Sequence, residues 1–234
     1  MRVLLTGATG LIGSAVLAAL RGEGHEVVAI VRSAASAGRL SSATRCIALD
    51  IGRTTEPADW LPHLAGIGAV VNCAGVLQDS PRDSTAGVHV YGAAALFAAC
   101  EQAGVRRIVH ISAIGVDRDA TTPFARTKLT GDQALMGRDL DWVILRPSVV
   151  VGRAAYGGSA LFRGLAALPV VPSVAGTGLL QVVQLDDLVR TVLFFCSPPP
   201  RPASRWRLLD PSALHSMPSS SLTAAGSDTR ASAF

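Results

Sequence analysis

The 234-residue chain is short of charge, of aromatic rings and of long apolar runs. Charged residues make up 16% and aromatic residues 5%, and no cluster of lysine or arginine forms a basic patch. With so few rings to stack bases, the net charge of +4 does not mark a nucleic-acid-binding protein. No apolar stretch reaches the length of a membrane span; the late run Val189–Cys196 is far too short. The four cysteines, at 46, 73, 100 and 196, have no metal-ligand spacing and sit in apolar settings. They read as buried free thiols of a reducing compartment, with no metal site. A strand pattern at the very first residues leaves no room for a signal peptide, so a soluble, cytoplasmic protein is expected.

What is present is an apolar content of 49%, enough to build one sizeable core. The organising stretch is Arg2-Val3-Leu4-Leu5-Thr6-Gly7-Ala8-Thr9-Gly10-Leu11-Ile12-Gly13. It predicts a buried strand, a glycine-rich turn and the start of a helix. Such a turn gathers backbone N–H groups at the positive end of a helix dipole, where an anion is held without side chains. Gly7 permits the turn, Gly10 lets a pyrophosphate approach, and Gly13 lets the helix pack on the strand. The spacing is G-x-x-G-x-x-G, and the flanking strand and helix supply the context a dinucleotide motif requires.

Further along, helix 11–21 and an almost wholly apolar strand 26–31 complete a βαβ unit. An NAD-preferring site carries an acid at the end of this second strand. Here Val31 is followed by Arg32 and Ser33, and an arginine suits a 2′-phosphate, so NADPH is expected over NADH. A third strand, 45–49, ends in Asp50 and Ile51; the carboxylate can accept from an adenine amine while Ile51 packs on the ring. The small residues Cys73, Ala74 and Gly75 after strand 69–72 leave room for a ligand. Helices at 57–64, 83–102 and 121–136 alternate with strands at 107–112 and 142–145, giving an α/β doubly wound parallel sheet, the Rossmann fold. Residues 1–151 form the binding domain. Residues 152–210 form a small substrate-side lobe that completes it, with a helix at 159–168, strands at 179–185 and 205–209 and a helix at 186–196. The Ser-, Ala- and Thr-rich segment 211–234 is expected to be a disordered tail.

Thr6–Gly13, Asn72-Cys73-Ala74-Gly75 and Leu145-Arg146-Pro147 together resemble the short-chain dehydrogenase/reductase superfamily. Within it, the chain is similar to the atypical and extended branch of epimerases and dehydratases, NmrA-like proteins and complex I accessory subunits. The resemblance implies an NADP(H) site built from Gly7, Thr9, Gly10, Leu11, Ile12, Arg32, Asp50, Ile51, Cys73, Ala74, Gly75, Lys128 and Pro147. It also implies catalytic roles for Lys128, which holds the nicotinamide ribose, and for Ser112 at a strand end. The family pairs that lysine with a tyrosine four residues earlier, on one helical face, as its proton donor. This chain has Phe124 there, and a phenyl ring carries no exchangeable proton. Tyr91, Tyr156 and His89 are the other groups considered for the task. The implied function is an oxidoreductase with an atypical active site acting on an unnamed small molecule; the alternative is a non-catalytic NADP(H) sensor or scaffold. Relatives occur as homodimers through the two long helices and as monomers, and both remain open.

Overall fold

A computed structural model describes residues 1–38, 40, 45–118, 120–152, 164 and 181–196. Six strands, β1 (Arg2–Thr6), β2 (Glu26–Val31), β3 (Arg45–Ala48), β4 (Ala69–Asn72), β5 (Arg107–Ile111) and β6 (Asp141–Leu145), form one sheet. Its order is β3-β2-β1-β4-β5-β6 and every pairing is parallel. Chain direction from β1 runs outward one way to β3 and the other way to β6. The reversal between β1 and β4 opens a crevice at the carboxyl edge, the usual place for a ligand in such a sheet.

The strands are apolar on both faces because helices cover both. Val3 and Leu5 of β1 pack with Val16, Leu17 and Leu20 of α1 (Leu11–Gly22). The same layer takes Leu188, Val192 and Phe195 of α6 (Leu185–Cys196). Leu4 points to the opposite layer, filled by Trp60 of α3 (Pro57–Trp60) and by Leu96 and Phe97 of α4 (Ala93–Gln102). Leu135 of α5 (Pro123–Met136) closes that side. Thr122 caps α5 by accepting from the Ala125 amide, with Pro123 in the first turn.

The expected elements differ from the structure at several points. A short α2 (Ala34–Ala37) follows Arg32, started by the Ser33 hydroxyl accepting from the Ser36 amide. The helix expected over 83–102 starts later. Asp79 accepts from the Thr85 amide and hydroxyl, while Ser80 and Asp83 close a turn on each other. Its first part, Gly87–Gly92, is π-helical. The chain also becomes extended again after Pro147, as β7 (Val149–Val151), which pairs in parallel with β8 (Val182–Gln184). That partner is about thirty residues away, beyond any local pattern. The expected helix 159–168, strand 205–209 and tail 211–234 lie outside the described residues, except Gly164. The described part of the 152–210 segment brings α6 onto the sheet beside α1. Among the described residues no helix is long and apolar enough to cross a membrane.

Phe97 is fully buried and meets the His110 ring edge-on at 5.5 Å between centroids. Phe97→Ala is therefore expected to lower stability by about 3–5 kcal/mol, read as a drop in the urea midpoint.

Candidate functional site

The site starts from a backbone constraint. Gly7 has φ +67°, and a Cβ on it would lie 2.6 Å from the Cys73 carbonyl oxygen. A Cβ on Gly13 would lie 2.1 Å from the Gly7 carbonyl oxygen, so strand end, turn and helix stack without side chains between them. Gly10 donates its N–H to the Gly7 carbonyl at 3.0 Å and begins α1 with no side-chain cap. The first-turn amides of Leu11 and Ile12 therefore have no capping acceptor and suit an anion.

Above this turn lies a cavity of about 470 Å³. It brings together Gly7, Thr9, Gly10, Arg32, Asp50, Ile51, Cys73, Ala74 and Gly75, drawn from the exits of β1, β2, β3 and β4. This volume falls in the range of small-molecule sites. Leu11, Ile12, Ser112, Lys128 and Pro147 are not in its lining. Leu11 and Ile12 lie in the first turn of α1. The Pro147 carbonyl accepts from the Ile114 amide, tying the β6 exit to the loop after β5. Asp50 folds its carboxylate over the Gly52 amide at 3.1 Å. Arg32 reaches across to Asp83 at 2.5 Å, a partner 51 residues away.

Lys128 sits behind Gly75: a Cβ on that glycine would be 3.3 Å from the lysine Nζ and 3.5 Å from His89 Nε2. The buried ammonium donates to the Ile111 carbonyl at 2.9 Å. Burial pulls its pKa down to about 8, against the opposing pull of the Asp132 carboxylate. His89 Nε2 accepts from the Val76 amide at 3.0 Å, which places the ring proton on Nδ1, facing Thr127 Oγ1 at 2.9 Å. The Thr127 hydroxyl in turn donates to the Pro123 carbonyl. Burial, then the Lys128 charge, pulls the His89 pKa down to about 3, so the ring is neutral. The Phe124 ring stands edge-on to His89 at 5.5 Å. Tyr91 is 60% exposed and lines a separate groove beside Pro57 and Arg138; Tyr156 lies outside the described residues.

Sequence reasoning missed the polar chain under the carboxyl edge of the sheet. Thr6 donates to Asn72, Asn72 faces His110 Nδ1 at 3.1 Å, and His110 Nε2 lies 3.4 Å from Asp132. Asp132, fully buried on α5, also accepts from Ser112 Oγ at 2.9 Å and from Arg146 at 3.0 Å. Arg146 reaches on to Asp117 at 2.6 Å. Burial pushes the Asp132 pKa up, but His110, Ser112 and Arg146 outweigh it and hold the group below the usual carboxylate range. Ser112 is thus placed on Asp132. The available signal was spacing: Asp132 stands four residues after Lys128, one turn along the same helical face.

A family model described as NAD(P)H-binding matches residues 7–163. The chain belongs to this NAD(P)H-binding family, in the atypical short-chain dehydrogenase/reductase superfamily. It is 30% identical over 193 residues to an uncharacterized protein of Mycobacterium tuberculosis, covering 82% of this chain and 20% of that one. Ceramide reductase of Caulobacter vibrioides is 25% identical over 198 residues, covering 84% of this chain and 61% of the reductase. The chain therefore spans about a fifth of the first relative and about three fifths of the second. Among solved structures, MoeE5 in complex with UDP-glucose and NAD superposes with a TM-score of 0.69 at 26% identity. The match covers 89% of this chain and 76% of MoeE5.

The neutral His89 has a measurable consequence. Its ordinary pKa is 6.5, so the unfolded chain takes up a proton that the folded chain refuses until about pH 3. Stability should fall as pH drops through that window. His89→Asn should flatten this part of the profile, measured by urea unfolding at pH 7 and pH 5. An unchanged slope would show that His89 is protonated in the folded protein.

Proposed function

We propose that the chain binds NADP(H) in the carboxyl-edge cavity and acts as an oxidoreductase with an atypical active site. The observation that carries this reading is the cavity itself. The uncapped start of α1 at Gly10, Gly7 with no room for a Cβ, and the Arg32 side chain all meet in one space of about 470 Å³. In this reading Gly7, Thr9, Gly10, Leu11 and Ile12 receive the pyrophosphate, and Asp50 and Ile51 receive the adenine. Cys73, Ala74 and Gly75 form the floor, and Pro147 flanks the nicotinamide end. The missing acid after β2 and the presence of Arg32 favour NADPH over NADH.

The cofactor would supply or accept a hydride. Lys128, fixed on the Ile111 carbonyl just behind Gly75, would hold the nicotinamide ribose. Its charge costs burial energy that an anionic or hydroxyl-rich ligand offsets. Ser112 can polarise a substrate only by releasing Asp132. Phe124 moves no proton, so water, the substrate or another group must serve that step.

The same two observations, Phe124 against the His89 ring and Ser112 committed to Asp132, favour a second reading: a non-catalytic NADP(H) sensor or scaffold. Titrating NADPH and NADH by nicotinamide fluorescence tests the shared claim, with NADPH expected to bind more tightly. Arg32→Glu should weaken NADPH by about tenfold or more while moving NADH much less, since it exchanges a charge-assisted contact for a repulsion. Equal losses would show that Arg32 does not read the 2′-phosphate. Phe124→Tyr should create or raise turnover of carbonyl substrates if the site is an enzyme's; no gain across a range of carbonyls supports the sensor.

A further inference from the structure

Arg32 does not project freely into the cavity. Its guanidinium is paired with the Asp83 carboxylate at 2.5 Å, and the pair joins the exit of β2 to the loop after β4. Asp83 is itself held: its other oxygen accepts from Ser80 Oγ at 3.2 Å, and Ser80 and Asp83 bond each other through their backbones. The end of the same loop is pinned by Asp79 on Thr85. The carboxylate is therefore presented to Arg32 by a fastened turn.

Beside the pair is a recess of about 150 Å³ that adjoins the main cavity through Arg32, Asp50, Arg82 and Val88. Its lining carries Arg32, Arg53 and Arg82 against Asp50 and Asp83. Arg53 approaches Asp50 only at 3.8 Å, and no described carboxylate pairs with Arg82. The recess thus keeps positive charge in excess even with the Arg32 pair closed.

We propose that Asp83 is a specificity-determining residue, an internal carboxylate that occupies Arg32 and competes with the 2′-phosphate of NADP(H); this rests on the dinucleotide reading of the cavity. A 2′-phosphate on the ribose beyond β2 needs Arg32, and Asp83 holds that group. The incoming phosphate displaces one carboxylate and then faces it as a like charge. The exchange is feasible because the pair is half open, with side chains 48% and 28% exposed, and such pairs are weak. An unphosphorylated ribose meets the opposite situation. Its 2′-hydroxyl can donate to Asp83, which stands in for the acid that β2 lacks. Asp83 therefore narrows the NADPH preference that Arg32 creates.

The test compares NADPH and NADH dissociation constants for the wild-type chain, Asp83→Asn and Asp83→Glu. Asp83→Asn keeps the size of the side chain and removes its charge. It should tighten NADPH by about fivefold and leave NADH unchanged or weaker, while Asp83→Glu keeps a ratio near the wild-type value. The gain for Asp83→Asn should shrink as salt rises, because it is a charge effect. Binding of both dinucleotides with the same ratio in all three proteins overturns the role of Asp83 and leaves the cavity reading standing. Binding of neither dinucleotide by any of them overturns both. Thermal unfolding of each protein confirms that the comparison is made on folded chains.

Discussion

The contact on which the carboxyl edge depends is backbone against backbone, where the turn after β1 meets the exit of β4. Gly7 lies under the Cys73 carbonyl, and Gly13 lies under the Gly7 carbonyl, at distances that leave no room for a Cβ. Because these three segments touch through main chain alone, the first turn of α1 opens directly onto the crevice. Any side chain at these positions would push α1 off the sheet and fill the space a ligand needs. The cavity is therefore a product of packing, and the residues that line it follow from which strands end there.

A second layer of control sits beneath. The chain from Thr6 through Asn72, His110 and Asp132 to Arg146 links β1, β4, β5, α5 and the end of β6 through buried polar contacts. Buried networks of this kind are expensive when incomplete and rigid when satisfied. In this one the bonded part at α5 is Asp132, which accepts from Ser112 and Arg146 and so ties α5 to the ends of β5 and β6, and with it the face that carries Phe124, Lys128 and Asp132. The lysine is held against the Ile111 carbonyl, and the neutral His89 ring stands edge-on to Phe124. The face of α5 beside Gly75 thus keeps a cation in place but carries no phenol.

Much of this was legible in the sequence. Strands Glu26–Val31 and Ala69–Asn72 are read to the residue because helices cover both faces and the apolar runs are unbroken. The glycine turn is legible because its geometry is local. What was not legible depends on distance along the chain. Arg32 reads in the sequence as a ligand for a 2′-phosphate, and its partner Asp83, 51 residues away, is brought to it only by the fold. Asp132 looks like a surface acid of a helix until His110 and Arg146 close over it. The parallel pairing of β7 with β8 and the π-helical turn at Gly87–Gly92 are set by tertiary packing, which overrides local propensity.

The most direct measurement of the central claim is a crystal structure of the chain grown with NADPH. The pyrophosphate should lie on the amides of Gly10–Ile12, the adenine beside Asp50 and Ile51, and the nicotinamide ribose within hydrogen-bond reach of Lys128 Nζ. A dinucleotide bound elsewhere, or bound in the cavity with its nicotinamide end toward Arg32, would contradict it.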